Sequence, residues 1–129
     1  MLTWNVSFLR GEDVSQFSGS VAEYGADAGR FTWNNAVEMG KQNPLVQPDQ
    51  VAELKRVFAE YGAWDEEEIE GWDIDTLNGM VIQEASQRFR DFLSCKNYRE
   101  YQKREKRGEF SYGLWKDGKT GQWFLDLSM

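Results

Sequence analysis

From Leu77 to Phe92 apolar side chains return every three or four positions, as Leu77, Met80, Val81, Ala85, Phe89 and Phe92. That is the period at which one face of an α-helix meets a core. The spacing therefore predicts a helix ending near Leu93 whose apolar stripe needs a sheet or other helices to cover it. Immediately before the stripe lies the densest run of acids in the chain. Glu60, Asp65, Glu66, Glu67, Glu68, Glu70, Asp73 and Asp75 follow one another with no Lys or Arg between Val57 and Gln87, and Trp64, Ile69 and Trp72 are set among them. The field is thus strongly negative at the start of the best-defined helix.

At the N-terminus Leu2, Trp4, Val6 and Phe8 alternate with Thr3, Asn5 and Ser7, the period-two pattern of a half-buried strand, which Gly11-Glu12-Asp13 stops. Ser and Gly scattered between Val14 and Gly29 leave only a short helix around Ser20 to Tyr24. Thr32 then caps a helix from Trp33 to Met39, with Trp33, Ala36 and Val37 on one face and Gly40 and Asn43-Pro44 ending it. Pro48 suits a first helical turn, and Val51, Leu54, Val57, Phe58 and Tyr61 form the stripe that follows. Asp65 caps a short acidic helix as far as Gly71, and Asp73 or Asp75 caps the long one. Beyond Ser94, KNYREYQKREKRG predicts a helix ending at Gly108.

The last segment reads as a hairpin. Phe110, Tyr112 and Leu114 alternate on one side, Lys116 to Gly121 forms the turn, and Trp123, Leu125 and Leu127 lie on the return strand. A hairpin alone is marginal, so the N-terminal strand should join it. The expectation is one α+β domain spanning residues 1–129, with a three-stranded antiparallel sheet covered by four to five helices.

Nineteen aromatics in 129 residues are too many for a disordered acidic tail, so the net charge of −7 belongs to a folded surface. That sign argues against direct nucleic-acid binding unless the positive charge is segregated, and points to a basic partner or to solubility. The positive charge does concentrate at one end. Residues 31–94 hold five basic and thirteen acidic groups, whereas residues 95–129 hold eight basic and five acidic. Lys96, Arg99, Lys103, Arg104, Lys106 and Arg107 form the alternative, nucleic-acid-facing site.

The chain has no histidine, no Gly-rich phosphate loop, no GxSxG and no HExxH, and its one cysteine, Cys95, has no base partner. The acids Asp65 to Glu68 on one short turn point in different directions, which suits neither a pair of catalytic carboxylates nor a cation loop. No enzyme activity, metal or cofactor is therefore expected. A single cysteine fits a reducing cytoplasm, and neither a signal peptide nor an apolar run of spanning length is visible.

Much of the acid run can serve helix starts, yet the contiguous Glu66-Glu67-Glu68 exceeds what capping needs, since like charges repel. Trp64 and Trp72 can be core residues or partner-binding aromatics. Tyr98 and Tyr101, among the bases, can stack on a single strand or pack one face of their helix.

Gly62 to Trp72, Leu77-Asn78, Gln83 and the terminal hairpin with Asp117-Gly118 and Trp123 together resemble small acidic single-domain proteins of bacteriophages and mobile elements. CRISPR inhibitors (anti-CRISPR proteins) and anti-restriction DNA mimics belong to that class. The resemblance covers about a third of the chain. It implies a cytoplasmic protein that disables host machinery by binding, without a cofactor. The basic stretch Lys96 to Arg107 departs from a pure duplex mimic, which would carry acids throughout. The expected function is a phage or mobile-element inhibitor whose acidic ridge occupies a basic surface on a nucleic-acid-handling defence complex. The ridge comprises Asp65, Glu66, Glu67, Glu68, Glu70, Asp73 and Asp75.

Overall fold

The computed structural model describes residues 2–9 and 33–127. The expected helix at Ser20–Tyr24 and the Thr32 cap lie outside them. The fold is α+β: strand β1 (Thr3–Asn5), helices α1 (Trp33–Gln42), α2 (Val51–Glu60), α3 (Glu66–Glu70), α4 (Ile74–Leu93) and α5 (Tyr98–Lys106), then strands β2 (Leu114–Lys116) and β3 (Trp123–Asp126). As expected, β1 joins the hairpin, and it does so by pairing antiparallel with β3, giving the order β1-β3-β2.

In register, Trp4, Leu125 and Leu114 form one row across the sheet and all three are buried, as is Trp123 beside them. The alternate row, Asn5, Phe124 and Trp115, faces outward, where Trp115 and Phe124 stack at 4.8 Å. Against the inner face lies α4. Its stripe is buried as read, with Leu77, Met80, Val81, Ala85 and Phe89 inside and Phe92 half-buried at the margin. Each such large apolar side chain contributes roughly 1.5–3 kcal/mol.

Three local readings need correction. The first strand is shorter than the alternation Leu2 to Phe8 suggests, because Ser7–Leu9 turn into a 3₁₀ helix. The Asn5 side chain accepts from the Ser7 N–H at 3.0 Å, and the Ser7 hydroxyl accepts from the Trp123 N–H at 2.8 Å. Those side-chain bonds compete with the ladder and end it.

Gly40 does not end α1, which continues to Gln42. It sits buried where α1 crosses α4, and a Cβ there would lie 2.9 Å from the Asn78 Cβ. Asn78 in turn accepts the N–H groups of Leu45 and Val46 at 3.1 and 2.7 Å, tying the connection after α1 to the long helix.

Tyr112 does not share the inward row with Leu114 but is 76% exposed. The cause is Gly113, whose φ of 122° turns the chain before β2 starts and whose Cα lies so near the Asp126 carbonyl that no Cβ fits.

Candidate functional site

Two charged surfaces flank α4. It has 20 residues, so about 30 Å of helix separates the segment that carries the acids from the one that starts the bases. Acids at its positive end and bases beyond its negative end both complement the helix dipole.

At the acidic end, α3 is fixed from below. Ile69 is its only buried residue, and Trp64 and Trp72 on either side are half-buried in an aromatic floor with Phe58 and Tyr61. The two tryptophans meet edge to face at 5.4 Å, and Phe58 lies 5.7 and 5.8 Å from them. Lys55 donates to the Glu70 carbonyl at 2.9 Å, placing a cation where the dipole of α3 is negative. Trp64 and Trp72 thus pack partly against the core and against each other, and each keeps part of its ring exposed.

The seven ridge acids divide by role. Asp73 caps α4: its Oδ1 accepts the Thr76 N–H at 2.8 Å, which holds its carboxyl below the ordinary value. Asp65 stands at the N-cap of α3 with extended backbone, but its side chain makes no capping hydrogen bond, contrary to the expected cap. Glu66, Glu67, Glu68, Glu70 and Asp75 are exposed, and among the described residues none forms an ion pair.

At the basic end, α5 starts at Asn97, which accepts the Glu100 N–H at 2.9 Å, while Glu100 accepts the Lys96 N–H at 2.7 Å. Tyr101 is buried and Tyr98 half-buried, in a second aromatic group with Phe92, Phe110 and Trp123. The Tyr98 hydroxyl also accepts the Lys116 N–H at 3.1 Å, docking α5 beside strand β2. These tyrosines therefore pack, and the opposite face of α5 carries the charge.

The six bases are not equivalent either. Arg104 lies over the Phe110 ring at 4.5 Å and bonds Glu109 Oε1 at 3.1 Å, and Arg107 reaches Glu109 Oε2 at 2.8 Å. Lys96, Arg99, Lys103 and Lys106 are exposed with no ion pair among the described residues. A shallow groove along α5 is lined by Arg99, Glu100, Lys103, Lys106 and Arg107. Sequence reading missed the Glu109 clamp because it acts across the turn at Gly108, whose φ is 80°.

It also missed Arg88, whose side chain is 5% exposed. Its Nη1 donates to Glu84 Oε2 at 2.7 Å and to the Glu84 carbonyl at 2.8 Å, and its Nε donates to the Tyr112 carbonyl at 2.9 Å. Glu84 four residues before Arg88 was the readable signal. Burial, then the Glu84 carboxylate, raises the nearby Tyr61 phenol. Every hydrogen bond of Arg88 named here runs inside the protein, so the open concavity it borders with Tyr61, Gln87 and Tyr112 is held by structural bonds. Among the described residues no three Asp, Glu or Cys side chains converge to hold a metal, and no helix is long and apolar enough to cross a membrane. Comparison with protein families, curated proteins and solved structures finds no match to this chain.

Proposed function

We propose that this is a non-enzymatic, cytoplasmic binding protein whose acidic ridge occupies a Lys/Arg-lined surface of a nucleic-acid-handling defence complex, as a phage or mobile-element inhibitor does. One observation carries the reading: Glu66, Glu67, Glu68, Glu70 and Asp75 stand exposed and without an ion pair among the described residues, next to a packed aromatic cluster. Glu66, Glu67 and Glu68 gain from the dipole at the start of α3, but like charges so close repel by tenths of a kcal/mol per pair, which offsets part of that gain. A basic partner gains a pre-positioned counter-surface and faster encounter.

The test is competition. Purified CRISPR effector and restriction complexes are challenged with the protein, and nucleic-acid binding is followed with a labelled probe. Wild type should block binding. Glu66, Glu67, Glu68 and Glu70 changed together to Gln should melt within a few degrees of wild type, since exposed acids contribute only tenths of a kcal/mol each. The same variant should block more slowly and with a flatter salt dependence. No block by wild type, or an undiminished block by the quadruple variant, overturns the reading.

A further inference from the structure

The ridge leaves the opposite charge unexplained. Segment 96–109 contains three acids besides its bases, and each is engaged or partly buried, with Glu100 alone lining the groove beside Arg99 and Lys103. Glu100 accepts the Lys96 N–H, Glu109 is held between Arg104 and Arg107, and Glu105 is half-buried. Lys96, Arg99, Lys103 and Lys106 are left facing solvent. Their spacing is regular: Arg99, Lys103 and Lys106 fall four and three residues apart on one helix face and span about 10.5 Å at 1.5 Å per residue. A nucleic-acid strand presents one phosphate per roughly 3.4 Å of axis, so this face spans about three phosphate-to-phosphate steps with three cations to share among them. The half-buried Tyr98 and the buried Tyr101 hold the helix from behind, which fixes the backbone that carries the cations.

We infer that the solvent face of α5 is a second docking surface, one that grips the phosphate backbone of nucleic acid carried by the complex the ridge engages. The inference rests on the proposed function for its setting but not for its test. Alone, a protein of net charge −7 is repelled by a polyanion, and three or four phosphate contacts are few. Once the ridge is neutralised by a basic partner, the repulsion falls and the second contact becomes intramolecular, with an effective concentration that can reach millimolar. The protein would then favour nucleoprotein over either component alone.

Neutralising the ridge by mutation should unmask the same contact without any partner. The Glu66, Glu67, Glu68 and Glu70 to Gln variant has a net charge of −3 in place of −7. In low salt it should bind fluorescent 20-nucleotide RNA, single-stranded DNA or duplex DNA at least tenfold more tightly than wild type. Three phosphates predict a log–log salt slope of about −2 on single strands and about −3 on duplex. Adding Lys96, Arg99, Lys103 and Lys106 to Gln should reduce that affinity at least tenfold and flatten the slope, with both variants checked for unchanged melting. Binding of all three probes would mean recognition of backbone alone, and a preference for one would identify the strand the face fits. Equal affinity of the two variants, or no binding by the ridge variant, overturns the inference and leaves the competition test of the ridge untouched.

Discussion

Arg88→Ala should be among the most damaging changes of a charged residue in this protein. Arg88 is 4% exposed and makes three hydrogen bonds, two to Glu84 and one to the Tyr112 carbonyl, at 2.7 to 2.9 Å. A hydrogen bond from a charged donor is worth about 1.5–3 kcal/mol, and alanine also leaves a void where the stem lay. The stranded Glu84 carboxylate keeps 21% of its side chain exposed, so water relieves part of its penalty. The sum is about 3–5 kcal/mol, the range for breaking a buried pair from one side, against a total stability of about 5–15 kcal/mol. Urea titration at neutral pH measures it, provided the slope with denaturant is unchanged. Arg88→Met separates charge from packing by keeping an apolar stem. Combined with Glu84→Gln it should recover about 1 kcal/mol over Arg88→Met alone, because no unpaired carboxylate remains. An Arg88→Ala protein within about 1 kcal/mol of wild type, or a double variant no better than Arg88→Met, refutes the buried staple.

Phe89→Ala empties a site that is 1% exposed and touches Trp123 at 5.2 Å, and should cost about 3–5 kcal/mol, read as a fall in melting temperature on the order of 10 °C or more. A shift of only a few degrees would show the stripe of α4 misassigned. Gly40→Ala should destabilise by roughly 1–3 kcal/mol through the 2.9 Å contact with Asn78, although helix propensity alone predicts a gain of about 1 kcal/mol. A more stable variant in urea means that α1 and α4 can separate without loss. Burial raises the Asp91 carboxyl, so its share of stability is present below the ordinary aspartate value of about 4 and is lost as pH rises through the raised folded value. Asp91→Asn should therefore stabilise the protein at pH 7, where it also removes an anion from the negative end of α4, and change little near pH 3. Loss of stability at pH 7, followed by denaturation at both pH values, would contradict the sign.

Much that followed from near neighbours was legible, although the 3₁₀ turn at Ser7 and the bare Asp65 side chain were not. The stripe of α4 follows from its period, its cap was narrowed to Asp73 or Asp75, the end of α5 follows from Gly108, and the joining of strand β1 follows from a hairpin too marginal to stand alone. Most of what escaped depended on atoms distant in sequence or lying across a turn. Gly40 reads as a stop signal until Asn78 is known to lie against it. Tyr112 reads as inward until the Arg88 guanidinium is seen holding its carbonyl and Gly113 turning the chain. The acids of the ridge were readable as exposed because α3 is too short to bury more than Ile69. The division of the bases into Arg104 and Arg107, which Glu109 clamps, and four with no ion pair among the described residues was not readable, because Glu109 acts from beyond a turn.

Asn78 is followed by Gly79, and an asparagine before glycine closes readily to a succinimide when the unhindered glycine nitrogen can reach the side-chain carbonyl carbon. Folding blocks that reaction. Both residues are buried within α4, the glycine nitrogen is committed to the helix, and the Asn78 amide is held by Leu45 and Val46. Each excursion to the unfolded chain releases both restraints; ring closure then expels ammonia, and hydrolysis of the ring leaves a buried carboxylate or a lengthened isoaspartate backbone in place of a neutral amide. Residue 78 therefore keeps a chemical record of time spent unfolded, one mass unit per event. Repeated heating would convert a reversible transition into progressive, irreversible loss of refolding.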